Sequence, residues 1–330
     1  MTTRTKTTKT TETTHQDRPA PWPSGLLIVD KPAGLTSHDV VARVRRVAHT
    51  RRVGHAGTLD PMATGVLVMG IEKGTRLLGH LALTEKTYEA VIRLGQSMTT
   101  DDAEGEPVGN IVPAARALSG EALNAEITAL TGDIMQVPSS VSAIKVNGQR
   151  AYKLTRAGEA PELAARPVTI HEFRILGLSG QDDFMDVAAC VRCSSGTYIR
   201  ALARDLGAAL GTGGHLTALR RTDVGPYTLT QAHTLKELED QGSAAPDPAA
   251  EGWLTPLAEA AAAAFPRLDL TADDARRLAQ GAKLPLPADA VLIVQPGDPV
   301  AAFDPDGALV ALVTAESGRL RSLAVFTAAS

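Results

Sequence analysis

The chain has only two cysteines, Cys190 and Cys193, and few aromatic side chains: five Phe, four Tyr and two Trp in 330 residues. Two cysteines cannot build a disulfide framework, which excludes the small stapled secreted scaffolds and agrees with a reducing compartment. No apolar run approaches the roughly 18 residues needed to span a bilayer, and the first residues lack the apolar core of a secretory signal, so no membrane association and a cytoplasmic location are expected. His-Glu-x-x-His, Gly-x-Ser-x-Gly and Gly-x-x-x-x-Gly-Lys-Ser/Thr are all missing, leaving zinc hydrolases, serine hydrolases and P-loop nucleotide binders without a foothold. Cys190 and Cys193 have the spacing of half a zinc site. Residues three apart on a strand face opposite sides of a sheet, however, and no second Cys/His pair lies nearby, so no metal is expected.

The remaining composition is that of a globular protein: 44% hydrophobic, 33 Lys+Arg, 37 Asp+Glu, net charge -4. The length suggests about two domains. Charge is unevenly spread, with -7 on residues 231–330 and +3 on the rest. Between Lys31 and Arg52 stand six basic residues (Lys31, Arg43, Arg45, Arg46, Arg51, Arg52) against one acid, Asp39. Such a patch suits a polyanion such as RNA, although a solvated helix face explains the same charges equally well.

Residues 1–20, with nine threonines and six charged side chains, read as a disordered tail. Leu26–Val29 reads as a buried strand, 30–34 as a turn, and Thr36 or Ser37 as the cap of a helix on which Val40, Val41, Val44, Val47 and Ala48 share one face. Val53–Gly65 reads as a polar, Gly-rich loop before a strand at Val66–Met69. Thr87–Leu94 alternates as a strand that turns Tyr88, Ala90, Ile92 and Leu94 to the core. Residues 99–116 read as acidic and turn-rich, 119–130 as a helix, and Val168–Leu178 and Phe184–Cys193 as strands. A second strong helix starts near Thr197, with Tyr198 and Arg200 flanking its apolar stripe.

Residues 241–261 have linker composition, and 262–330 read as a compact β-rich unit. In that unit a helix capped by Thr271 stops at Gly281, strands fall at Val291–Val294, Val300–Phe303, Ala308–Val313 and Leu320–Phe326, and Asp304–Gly307 is a hairpin turn.

Within Arg52–Gly65, three glycines and Pro61 surround Asp60, giving a loop whose backbone can approach a ligand closely. Asp60 is a candidate nucleophile or base, and plain Asp-Pro turn chemistry explains it too. His55, in the same loop, is the one of eight histidines worth keeping as a candidate.

Gly54-His55-Ala56-Gly57-Thr58-Leu59-Asp60-Pro61 with Ala63-Thr64-Gly65-Val66-Leu67 resembles the catalytic-loop signature of the TruB-type tRNA pseudouridine synthases. Four further blocks agree in order: Asp30-Lys31-Pro32 with Gly34; Lys86-Thr87-Tyr88-Glu89-Ala90; Ser142-Ala143-Ile144-Lys145 with Asn147-Gly148; and Cys193-Ser194-Ser195-Gly196-Thr197-Tyr198-Ile199-Arg200. The resemblance covers about residues 24–230, and the chain end is similar to a PUA-type RNA-binding domain. Pro138-Ser139-Ser140-Val141 departs from it where a second proline and a tyrosine belong.

The resemblance implies a mixed α/β fold with a central, largely antiparallel sheet (catalytic domain 21–240), an RNA-clasping thumb near 136–160, and a PUA-like unit at 262–330. It implies isomerisation of the T-loop uridine (position 55) of tRNA to pseudouridine by a monomer, a redox-neutral reaction that needs no cofactor. Asp60 is then the essential carboxylate, attacking covalently or assisting a glycal-like intermediate. Arg200 pairs with it. Tyr88 packs on the base and takes the C5 proton, with Tyr198 close by. His55 fills the space vacated by the flipped base and Leu219 lines the uracil pocket. Lys31, Arg43 and Arg46 are expected to meet RNA phosphates. Two rival functions remain: a guide-dependent pseudouridine synthase subunit and a non-catalytic tRNA-folding chaperone.

Overall fold

The computed structural model describes residues 20–140, 145–146, 149–150, 163–245, 247–287 and 296–327. The tail at 1–19, most of the expected thumb and the expected strand Val291–Val294 lie outside the described residues.

Strand β1 (Gly25–Lys31) leads into helix α1 (Ser37–Val47), whose N-cap Thr36 forms a reciprocal capping box with Asp39. The valines expected on its inner face are buried there. Two strands follow, β2 (Val53–Ala56) and β3 (Thr64–Ile71), paired antiparallel. The first four residues of the stretch expected as a loop are therefore strand: Val53–Ala56 borrows its order from β3, a tertiary pairing that Gly54 and His55 do not announce locally. Strand β4 (Lys86–Leu94) alternates as its sequence requires. Helix α2 (Gly120–Ala129) and strands β5 (Gly132–Gln136), β6 (Arg166–Gln181) and β7 (Phe184–Cys193) come next, then helix α3 (Ile199–Ala209) and strand β8 (Gly214–Val224).

The main sheet runs, from one edge, His233–Thr234, β1, β3, β8, β4, β7, β6, β5. Two neighbouring pairs are parallel, β1 with His233–Thr234 and β3 with β8; the rest are antiparallel. Strand β8 was not foreseen, yet it sits in the middle. Its sequence, Gly-His-Leu-Thr-Ala-Leu-Arg-Arg-Thr-Asp-Val, hides a two-residue alternation behind two register shifts and a buried Arg221.

One face of the sheet packs on α1, α2 and α3 through Val40, Val44, Leu123, Leu202 and Leu206. The other face of β1 and β3 (Leu26, Ile28, Val66, Val68) is covered from the far end of the chain by Ala260, Ala261, Phe303, Leu312 and Phe326. This double burial is why β1 and β3 are apolar without alternation. The stretch 241–261, expected as a connector, is itself packed. Leu254 joins Trp22 in the core, Thr255–Pro256 pairs with β1, and helix α4 (Leu257–Ala264) supplies Ala260 and Ala261. Beyond it, Arg267–Asp269, Val300–Phe303, Leu309–Glu316, Arg319–Val325 and Leu284–Pro285 form a separate five-stranded sheet beside the helix Ala272–Ala279, which Thr271 caps.

Candidate active site

The starts of β3 and β4 and the ends of β7 and β8 lie at one end of the sheet. Arg221 of β8 is in register with Gly65 on one side and Tyr88 on the other, and Lys86 of β4 is in register with Cys193 of β7. The loop 57–63 that enters β3 and the first turn of α3, which follows β7, meet at this end through Asp60 and Arg200. Gly65 has φ +100°, and a Cβ there would stand 2.1 Å from the Arg221 carbonyl oxygen, so only glycine lets β3 close on β8 at this point.

Here Asp60 meets Arg200, whose Nε donates to Asp60 Oδ2 at 3.0 Å. The same nitrogen lies 3.5 Å from Asp102 Oδ2, and an Nη1 hydrogen donates to the Thr100 carbonyl at 3.0 Å. Arg200 is 4% exposed and Asp102 5%, but the Asp60 side chain keeps 37% of its surface open. One carboxylate of the trio can be reached by a substrate while its cation is sealed beneath. The sequence placed Arg200 on the flank of the α3 stripe; it is buried because two carboxylates from two loops satisfy it.

Asp102 was missed. Its loop docks on β8 through Leu216 N–H to Asp101 O (3.0 Å) and Ala103 N–H to Leu216 O (2.9 Å). Burial raises the Asp101 carboxyl above its usual range, opposed by a contact to Ser139 and by Arg204. The Thr-Thr-Asp-Asp run looks like solvated turn sequence, and no local pattern reveals that Arg200 and Arg204 wait for it.

The Asp60 loop is held from several sides. The Ser37 hydroxyl accepts from Leu59 N–H (2.9 Å) and donates to Leu59 O (3.2 Å). Lys31 is fully buried and donates to the carbonyls of Pro32 (2.9 Å), Leu35 (2.7 Å) and Pro61 (3.2 Å). Lys31, expected to meet RNA, is thus committed to backbone carbonyls and pins Pro61 beside Asp60. Burial drives its ammonium down to about 8, partly offset by Asp60. Lys86 is also down to about 8 by burial, and donates to Ala82 O (2.9 Å) and Thr84 O (2.6 Å).

A pH dependence of stability follows. Both lysines hold their proton to about 10.5 when unfolded and lose it near 8 when folded, so above pH 8 the unfolded state binds more protons and stability rises. Cys193, raised by burial from 9.0 to about 11, works in the opposite sense above pH 9. Chemical unfolding is therefore expected to show a gain in stability from about pH 8 to 9 that Lys86→Met reduces; a fall over that window contradicts it.

Tyr88 is buried on the same face as Leu219 and Arg221. Burial pushes its phenol up, Arg221 pulls it down and Asp60 adds to the rise. Tyr198 precedes α3 in extended conformation, and the buried Gln136 side chain grips its backbone on both sides: Tyr198 N–H donates to Oε1 (2.8 Å) and Gln136 Nε2 donates to Tyr198 O (3.1 Å). His55 lies on β2, half-buried, edge-on to His38 at 5.6 Å, and burial keeps its imidazole below the usual range. Asp60, Tyr88, Arg200 and Leu219 are thus gathered at one end of the sheet, with Tyr198 at the head of α3. Arg43 and Arg46 lie on α1 and share Glu239 at 3.6 and 3.9 Å, so the basic patch is partly neutralised by the acidic C-terminal part of the chain. Cys190 and Cys193 face opposite sides of β7, and no group of three or more His, Cys, Asp or Glu among the described residues is arranged for a metal ion. Among the same residues no helix is long and apolar enough to cross a membrane.

The profile of the TruB family pseudouridylate synthase N-terminal domain matches residues 45–199, that of the tRNA pseudouridylate synthase B C-terminal domain matches 200–260, and that of the tRNA pseudouridine synthase II C-terminal region matches 265–327. A protein of Thermobifida fusca named tRNA pseudouridine synthase B is 58% identical over 311 residues, covering 92% of this chain and 98% of that one. One of the same name from Streptomyces coelicolor is 55% identical, covering 92% and 97%. Among solved structures, a chain of an H/ACA ribonucleoprotein bound to a substrate RNA containing 2′-deoxyuridine superposes with TM-score 0.68 at 25% identity, covering 93% of this chain and 86% of that one. A chain of a Cbf5–Nop10–Gar1 complex gives 0.69 at 26%, covering 93% and 85%.

Proposed function

The chain belongs to the TruB family of pseudouridylate synthases, and we propose that it converts the T-loop uridine of tRNA, position 55, to pseudouridine, working alone in the cytoplasm as a monomer without cofactor or metal. The observation that carries this reading is the solvent-open Asp60 carboxylate, held at 3.0 Å by a sealed Arg200. Such a pair offers one oriented nucleophilic oxygen to an incoming nucleoside.

In this reading the uridine leaves the T-loop stack at a cost of a few kcal/mol, and stacking on Tyr88 returns roughly 1–3 kcal/mol. Asp60 acts at C1′ as the bond to N1 breaks. The freed base turns in a pocket walled by Leu219 and Tyr88, C5 bonds to C1′, and Tyr88 receives the C5 proton. Tyr198, fixed by Gln136, borders the flipped nucleotide, and His55 fills the space that the base vacates. Residues 21–240 form the catalytic unit, and 262–330 add a PUA-like RNA contact.

Isolated surface pairs such as Arg43–Glu239 contribute about 0–1 kcal/mol, so a phosphate displaces Glu239 readily. Arg43→Glu with Arg46→Glu is expected to flatten the fall of tRNA affinity with salt by about 0.9 per lost phosphate contact, whereas Glu239→Gln leaves the slope unchanged or steepens it. Binding titrations at several salt concentrations check this. An unchanged slope in the double reversal places the phosphate contacts elsewhere.

A guide-dependent subunit is the competing reading, because the superposed H/ACA chain works within a ribonucleoprotein. The test is the purified chain alone with an unmodified tRNA transcript carrying tritium at uridine C5. Stoichiometric tritium release supports a stand-alone enzyme; release only when other proteins and a guide RNA are added overturns it.

A further inference from the structure

Arg221 is the largest fully buried side chain in the protein's described part, 1% exposed, on the middle strand of the sheet. Its Nε donates to Val66 O at 2.8 Å and an Nη2 hydrogen to Gly57 O at 3.1 Å. Those two carbonyls stand on either side of the Asp60 loop, one before it and one after it. On its other side Arg221 is the register partner of Tyr88, so the two side chains share one face of the sheet, and its charge favours the ionised phenol. We propose that Arg221 is a positioning residue for uridine isomerisation: one buried cation holds the Asp60 loop by both ends and lies directly across the strand pair from Tyr88, fixing the C1′ nucleophile and the C5 base in a single frame.

The inference rests on the proposed function, in which Tyr88 removes the C5 proton, and addresses a difficulty within it. A buried phenol is a poor base because burial favours its neutral form, and the nearby Asp60 charge does so too. In the step required, the C5–H bond breaks, the proton passes to a Tyr88 phenolate oxygen, and the electron pair restores the C5–C6 double bond. N1, freed earlier, takes a proton from solvent. A phenolate in that position needs a cation, and Arg221 is the one that acts on Tyr88. Other charged or titratable groups around Arg221 are Lys31 of β1, His55 of β2 and Lys86 of β4, with the Cys193 thiol of β7 beside Lys86 and Tyr88. The three basic side chains are held below their ordinary pKa mainly by burial, with the Arg221 charge adding to it, so the arginine is the cation that persists as pH rises.

The test uses the full chain with Arg221→Gln and Arg221→Lys, and tRNA transcripts carrying hydrogen or deuterium at uridine C5. Single-turnover conversion is measured from pH 7 to 10, beside tRNA affinity and thermal unfolding. For Arg221→Gln the expected result is a rate about 10²–10³-fold lower at pH 7.5, tRNA affinity within about threefold, a C5 isotope effect larger than that of the wild type, and a rate that climbs with pH as the phenolate is recovered. Arg221→Lys keeps the charge without the fork, so it should retain the wild-type isotope effect and recover part of the rate. If Arg221→Gln unfolds, the Lys variant carries the test through its pH profile: its rate should fall at high pH, where a buried ammonium gives up its proton and a guanidinium does not, and a wild-type profile overturns the proposal. Either variant turning over at the wild-type rate overturns the proposal. So does a slow Arg221→Gln with the wild-type isotope effect and pH profile, since it would mark a purely structural arginine. Absence of C5 release by the wild type itself would instead refute the proposed function, whatever Arg221 does.

Discussion

Asp60→Asn is expected to abolish C5 proton release from tRNA, by at least about 10⁴-fold, while leaving tRNA affinity within about threefold. The substitution keeps the side chain's shape and lets Arg200 still donate to an oxygen, so the loop held by Ser37, Lys31 and Arg221 has no reason to move. What is lost is the charge and nucleophilicity of the one carboxylate in the Arg200 trio that faces solvent. Quench-flow turnover with filter-binding affinity separates the two effects. Turnover within tenfold of wild type would remove Asp60 from the reaction.

Arg200→Ala has the second largest expected effect, and it reaches stability as well as rate. Arg200 is shared by Asp60 and by Asp102, which is 5% exposed, so its loss leaves a buried carboxylate without a cation. Breaking a buried pair in this way costs about 3–5 kcal/mol. Turnover should fall by at least about 10³-fold, because the Asp60 carboxylate loses the donor that orients it. Removing the stranded acid as well, in Arg200→Ala/Asp102→Ala, should restore part of the stability and none of the activity. Denaturant titration and single-turnover rates on both variants decide the matter; equal stability of the single and double variants would show that Asp102 does not depend on Arg200.

Local pattern made much of the catalytic unit legible. The Val40–Val47 stripe, the alternation of β4 that turns Tyr88 inward, and the Thr36 cap all follow from period and capping chemistry, and all are present. Glycines and Pro61 mark Asp60 as a candidate in a loop built for close approach, but the same residues suit a plain Asp-Pro turn, and only the family resemblance points to a catalytic role. The features that escaped depend on partners distant in sequence. Strand β2 exists through β3, and β8 looks polar because Arg221 spends its charge on carbonyls inside the sheet. Lys31 and Arg43 read alike as basic residues, yet one is sealed against Pro61 and the other shares Glu239 at the surface. Residues 241–261 have linker composition because seven alanines are joined by three prolines and two glycines, and alanines are what a helix needs to lie close against the apolar face of β1 and β3. Removal of 262–330 would therefore strip Phe303, Leu312 and Phe326 from the cover of Leu26, Ile28, Val66 and Val68, beyond any loss of RNA contact.

The most direct test of the central claim is tritium release by the purified chain from two tRNA transcripts labelled at uridine C5, identical except that one carries cytidine in place of the T-loop uridine. The account predicts one equivalent of tritium from the intact transcript and none from the substituted one. Equal release from both, or none from either, would contradict it.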